Sequence, residues 1–152
     1  GAEFHIPHGL ANALLISNVI RYNATDNPTK QTAFSQYDRP QARRRYAEIA
    51  DHLGLGGTRT GEKVERLIAW VDGMKRTLGI PASIKEAGVP EEAFMAALDR
   101  LSEEAFDDQC TGTNPRYPLM AELRQVLLDS YHGRAWVGEG SAHRGGGTRH
   151  GF

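Results

Sequence analysis

Six histidines and one cysteine are the scarce side chains with chemistry to offer, and His8 has the most informative setting. It follows Pro7 and opens the run Gly9-Leu10-Ala11-Asn12-Ala13-Leu14-Leu15-Ile16. Proline suits the first turn of a helix, where its missing N–H costs nothing, so the run reads as a helix with His8 at its mouth. The positive end of a helix disfavours imidazolium, and neutral imidazole is the form that ligates a metal. The bland alternative is a histidine that caps or packs. Other candidates are thinner. Asp107-Asp108 invites a hard-metal reading but lacks a calcium-loop pattern. Cys110 has no histidine beside it in sequence to activate it, and its default role is a small buried packing residue. Gly56-Gly57-Thr58-Arg59-Thr60-Gly61 has neither a preceding strand nor the Gly-Lys-Ser/Thr ending of a phosphate loop. Arg43-Arg44-Arg45 would point three ways from a helix and reads as a solvated face. His52 and His132 fall near helix ends, and His143 and His150 fall in the tail.

The elements that must position His8 are helices. From Leu10 to Ile20 apolar residues cover nearly the whole circumference, which predicts a buried central helix. Apolar periodicity with start and stop signals predicts helix over residues 8–22, 39–53, 61–78, 90–101 and 118–132. Asp38 is expected to cap the second, with Ala42, Tyr46, Ile49, Ala50 and Leu53 inward. Thr60 is expected to cap the third, with Val64, Leu67, Ile68, Val71, Met74, Lys75 and Leu78 on one face and Gly79 as its left-handed cap. Ser83 to Gly88 reads as one capped turn closed by glycine. The fourth helix should bury Phe94, Ala97, Leu98 and Leu101, and the fifth Leu119, Leu123, Val126, Leu127 and Tyr131. Asp26-Asn27-Pro28 signals a turn before an ordered loop anchored by Phe34 and Tyr37, and residues 107–118 form a second ordered loop. No strand pattern appears. The predicted fold is all-α, about six helices packed round a buried central helix.

The segment Phe4-His5-Ile6-Pro7-His8-Gly9-Leu10-Ala11-Asn12-Ala13 resembles the P-H-G-x-x-N-A segment of the iron-dependent (group III) alcohol dehydrogenases. From Gly1 to about Gly133 the chain resembles the alcohol dehydrogenase end of the bifunctional aldehyde-alcohol dehydrogenases, with Asn27 to Gly54 and Ala105 to Leu119 especially close. The resemblance implies that His8 ligates a catalytic ferrous ion (zinc is the alternative metal), that further ligands lie upstream, and that NAD is held by an N-terminal domain. It also implies that His5 and Cys110 neighbour the substrate pocket, and that the parent reversibly reduces acetaldehyde or another short aldehyde to the alcohol with NADH. On this reading residues 1–137 are a partial helical domain, and the isolated chain is an inactive fragment. The rival reading is a non-catalytic helical assembly module, since the bifunctional relatives build filaments; a homo-oligomer or filament is the implied state of the parent.

Composition sets outer limits. Eighteen basic and nineteen acidic residues leave a net charge of −1, which gives no electrostatic footprint for nucleic acid. One cysteine excludes an internal disulfide and fits a reducing, cytoplasmic setting. The apolar run of the central helix is too short for a bilayer, which needs about 20 residues, so no membrane role is expected. Asn23-Ala24-Thr25 matches a glycosylation triplet that arises by chance. From Gly138 the composition collapses to Gly, Arg, His and Ser, so residues 138–152 are predicted to be a disordered tail.

Overall fold

A computed structural model describes residues 2–25 and 40–138. Five α-helices run in chain order: α1 His8–Asn23, α2 Ala42–His52, α3 Thr60–Thr77, α4 Glu91–Asp107 and α5 Met120–His132. Short 3-10 helices lie at Ala2–Phe4 and Gln109–Thr113, and no strand occurs among the described residues. The all-α expectation holds. The expected anchors Phe34 and Tyr37, the Asp38 cap and the disordered tail from residue 139 onward lie outside the described residues. No helix of the described residues is long and apolar enough to cross a membrane.

α1 bridges two apolar clusters. Toward its start Leu14 joins Ile84, Val89, Phe94, Leu98 and Tyr131, drawn from the 80–89 segment, α4 and α5. Toward its end Ile20 joins Val64 and Ile68 of α3. The central helix is not buried all round, however: Ile16 is 40% and Val19 37% exposed. α3 and α5 cover the other sides, and nothing among the described residues covers this one.

α2 and α3 form an antiparallel hairpin, tied where Lys63 Nζ meets Asp51 Oδ2 at 2.9 Å. α2 turns its small residues Ala42, Ala47 and Ala50 inward, which lets two backbones approach closely. Ile49 and Leu53, expected inside, are therefore rotated into solvent. α3 has 18 residues against 11 in α2, so its last turns overhang. Val64, Leu67 and Ile68 are buried as expected, whereas Met74 and Leu78 are exposed. Both helix starts differ in detail from the sequence reading. α2 starts after Gln41, and Pro40 stands outside it. Thr60 is already helical; Glu62 reaches back instead and accepts the Thr58 N–H at 3.1 Å.

That bond, with Arg66 alongside, holds the Glu62 carboxyl below the ordinary carboxylate value. A lowered folded-state pKa stabilises above the unfolded value and the contribution is lost as pH falls through the folded one. Glu62→Gln should therefore flatten part of the acid limb of the thermal-midpoint profile and leave the neutral midpoint slightly lower. An unchanged acid limb would count against the Glu62 cap.

α4 runs unbroken to Asp107, so residues 102–107 continue the helix predicted over 90–101 and do not form a separate turn. The apolar repeat continues through Ala105 and Phe106, with Phe106 edge-on to Tyr117 at 6.3 Å. Buried Ser102 donates to the Leu98 carbonyl at 2.7 Å, so its hydroxyl does not break the helix. Ser83 to Gly88 forms the expected capped turn, Ser83 Oγ accepting the Glu86 N–H. α5 starts two residues later than expected; Leu119 is its N-cap and is exposed, so it leaves the apolar stripe. Gly133 closes α5 at φ 71, and a Cβ there would stand 3.3 Å from Ser83 Cβ. Gly79 takes the same left-handed conformation after α3.

Candidate metal-ligand histidine at the mouth of α1

The approach to His8 is fixed by its leader. Glu3 pairs with Arg100 at 2.5 Å, and that guanidinium holds the Glu3 carboxyl below its usual value. Phe4 packs on Phe94 with ring centroids 6.3 Å apart, and Ile6 packs on the same cluster. Between them His5 takes a left-handed backbone (φ 54) and is exposed. Pro7 sits one position before the expected one: it is the N-cap, and its carbonyl accepts the Ala11 N–H at 3.0 Å. His8 is the first helical residue and has no side-chain cap role.

The His8 imidazole is exposed on the open side of α1, and Asn12 Nδ2 lies 3.1 Å from its Nε2. With the amide donating, Nε2 carries its lone pair, as a metal ligand requires. Sequence reasoning singled out His8 but not this partner. Asn12 was visible in principle, because residues four apart meet on a helix face.

Cys110 corrects an expectation. It is exposed, not a buried packing residue. It belongs to the 3-10 helix Gln109–Thr113, and its N–H donates to Asp108 Oδ1 at 2.7 Å. Asp108 thus serves as a turn cap. The loop is tied to the last turn of α1 by Asn114 Nδ2 to Asn23 Oδ1 at 2.8 Å and by Arg116 Nη1 to the Tyr22 carbonyl at 3.1 Å. That turn lies about 22 Å along the axis from His8 at 1.5 Å per residue. No bond among His5, His8 and Cys110 is formed. No group of three His, Cys, Asp or Glu side chains that could hold a metal occurs among the described residues. His8 therefore fits a metal as one donor and not as a complete site.

The charged run also resolves by geometry. Arg44 and Arg45 both reach Glu48, at 3.6 and 3.2 Å, from the solvent side. Arg43 turns the other way, toward Gly61 of α3.

A second cluster, missed in the sequence, ties the segment after α5 to α1. The Arg116 guanidinium lies 4.2 Å over the Tyr22 ring and 5.4 Å from that of Trp136. Trp136 meets Tyr22 edge-on at 5.1 Å. Burial, followed by the Glu122 carboxylate, pushes the Tyr22 phenol above its usual value.

The described residues thus form an all-α domain with one exposed imidazole at the start of its central helix. The family model described as Fe-containing alcohol dehydrogenase family, C-terminal, matches residues 1–131, and the chain belongs to that family. The bifunctional aldehyde-alcohol dehydrogenase AdhE of Escherichia coli is 71% identical over 147 residues, 95% of this chain and 16% of its own length. The aldehyde-alcohol dehydrogenase of Clostridium acetobutylicum is 52% identical over 130 residues, 86% of this chain and 15% of its own. A crystal structure of 1,3-propanediol oxidoreductase is similar with a TM-score of 0.66 and 26% identity, covering 84% of this chain and 29% of that one. The chain spans about a sixth of the length of the two aldehyde-alcohol dehydrogenases. A match over 95% of the chain necessarily passes Gly138. Similarity to the Escherichia coli protein thus enters the glycine-rich tail, whereas the sequence reading ended it near Gly133.

Proposed function

We propose that this chain is part of the metal-facing helical domain of an oxidoreductase that reversibly reduces acetaldehyde, or another short aldehyde, to the alcohol. The supporting observation is the exposed His8 imidazole at the mouth of α1, inside the segment that carries the family resemblance. His8 donates one Nε2 lone pair. Pro7 and the pinned leader set where that lone pair points, and Asn12 holds the ring until a metal is bound. When bound, ferrous iron (or zinc) supplies Lewis-acid polarisation of the carbonyl and NADH supplies the hydride. His5 and Cys110 are assigned to the surroundings of the substrate, and NAD to a domain outside this chain. A cytoplasmic enzyme that works as a homo-oligomer completes the proposal. The alternative is a non-catalytic helical module that serves filament assembly.

His8→Ala separates the two. In the full-length protein it should lower metal affinity by more than ~100-fold, the upper range for losing a mere supporting residue, and abolish turnover while leaving the helical circular dichroism intact. Full metal content and full rate in that variant would return His8 to a packing role and favour the assembly module. The 152-residue chain alone should bind Fe²⁺ or Zn²⁺ weakly and show no acetaldehyde-dependent NADH oxidation.

A further inference from the structure

A cavity of about 420 Å³ opens where the last turn of α1 meets the starts of α2 and α3 and the segment after α5. Its floor is apolar, since Val64 and Ile68 of α3 belong to the buried core. Its walls carry two half-buried guanidinium side chains, Arg21 from α1 and Arg43 from α2, together with the Trp136 indole. Glu65, which is exposed, is the one acid among the described lining residues, so the lining is net positive.

The walls are held in place by the fold itself. Asn18 Oδ1 accepts from Arg21 Nη1 at 3.2 Å and from the Trp136 N–H at 2.8 Å, so one carboxamide oxygen sets a cation and an indole in register. Trp136 meets Tyr22 and Arg116, and neither of those lines the cavity, so the indole stands between that cluster and the open space. Gly61 admits the Arg43 guanidinium, because a Cβ there would stand 2.8 Å from Arg43 Nη2. Glycine is a poor helix former; as the second residue of α3 it leaves the Arg43 fork where a methyl group would displace it. Two guanidinium groups on one cavity repel each other and favour an anion between them, and their planar forks match phosphate oxygens. The volume is that of a small-molecule site and exceeds what a bare phosphate fills. An indole beside an apolar floor takes a flat base, and a carboxylate accepts from hydroxyl groups.

We infer that this cavity binds a nucleoside monophosphate, with the phosphate on Arg21 and Arg43, the base against Trp136 and the ribose hydroxyls toward Glu65. Arg21 lies about 20 Å along α1 from His8 at 1.5 Å per residue, and the inference does not rest on the assignment of His8 as a ligand.

The test uses AMP as the probe and the 152-residue chain with Trp70→Phe, which leaves Trp136 as the only indole. AMP should bind one-to-one in equilibrium dialysis and change Trp136 emission saturably over the same concentrations. Adenosine and inorganic phosphate, each with only part of the contacts, should bind at least about tenfold more weakly. Arg21→Gln and Arg43→Gln should each weaken AMP by about tenfold or more while the helical signal is retained. Gly61→Ala should weaken it in the same direction by moving the Arg43 fork, and it keeps the test open if an arginine variant fails to fold. Arg44→Gln should bind AMP like the parent chain, because Arg44 reaches Glu48 on the solvent side. No saturable binding up to millimolar AMP, or an affinity unchanged in Arg21→Gln, Arg43→Gln and Gly61→Ala alike, would overturn the site. Inorganic phosphate or adenosine binding as tightly as AMP would overturn the nucleotide assignment.

Discussion

Phe94→Ala should cost about 3–5 kcal/mol of unfolding free energy, the usual range for removing a fully buried ring. Phe94 is 1% exposed and stacks on Tyr131 with centroids 4.4 Å apart and planes 17° from parallel. Its other neighbours come from three further parts of the chain: Leu14 of α1, Ile84 and Val89 of the 80–89 segment, and Phe4 of the leader. A cavity there cannot collapse by moving one element. Tyr131 is also pinned by its hydroxyl, which donates to the Val89 carbonyl at 2.9 Å, so the facing ring cannot slide in to fill the space. Domains of ordinary stability hold about 5–15 kcal/mol in total, and the urea midpoint should fall accordingly. The leader that carries His5 and sets His8 should loosen with it, which amide exchange at residues 4–8 would read. Met95→Ala is the matched control, because Met95 is an exposed neighbour on the same helix; its effect should stay within about 0.5 kcal/mol. A Phe94→Ala midpoint as high as that control would contradict this account of the core.

How far such features could be read in advance depended on the range of the interaction. Phe94, Ala97 and Leu98 were legible because their repeat at three and four residues lies within one helix. His8 was legible because a proline and an apolar run flank it. Burial on helices with partial neighbours was not. Ile49, Met74 and Leu78 continue good apolar stripes, yet which part of a stripe is covered depends on the length and rotation of the facing helix. Ile16 and Val19 failed for the same reason: apolar residues all round a helix show that every side can be covered, and not that every side is.

At the candidate site, the ligand type was legible and its surroundings were less so. Asn12 pairs with His8 over four residues, within reach of sequence reasoning. Cys110 looked like a packing residue by type, but Asp108 and Thr113 satisfy the backbone of its tight 3-10 turn locally, which leaves the thiol no need of the core. Trp136 lies beyond the last predicted helix, and only the fold sets it against Tyr22, more than a hundred residues earlier.

Asn18→Ala should be the second severe substitution, and it should act at a distance in sequence. The Asn18 carboxamide uses its full hydrogen-bonding capacity. Nδ2 donates to Ser130 Oγ at 3.1 Å and to the Arg134 carbonyl at 2.9 Å. Oδ1 accepts from the Trp136 N–H at 2.8 Å and from Arg21 Nη1 at 3.2 Å. One buried side chain of α1 thereby fastens both α5 and the extended segment that follows it. Each such bond contributes about 0.5–1.5 kcal/mol net, and a buried partner left without one costs about 1–3 kcal/mol. Arg21 recovers water freely, and the Arg134 carbonyl and Trp136 N–H recover it once the segment lifts. The buried Ser130 hydroxyl does not. The sum is therefore well short of four full bonds, about 2–3 kcal/mol. Asn18→Asp should not rescue it, since a carboxylate would face the Arg134 carbonyl with no proton to donate. The specific readout is Trp136: in a Trp70→Phe background its emission should shift to the red as the ring leaves Tyr22 and Arg116, at denaturant concentrations where the helical signal is still complete. If Trp136 emission and the unfolding midpoint both stay at wild-type values in Asn18→Ala, the segment after α5 is held by its ring contacts alone and the carboxamide is dispensable.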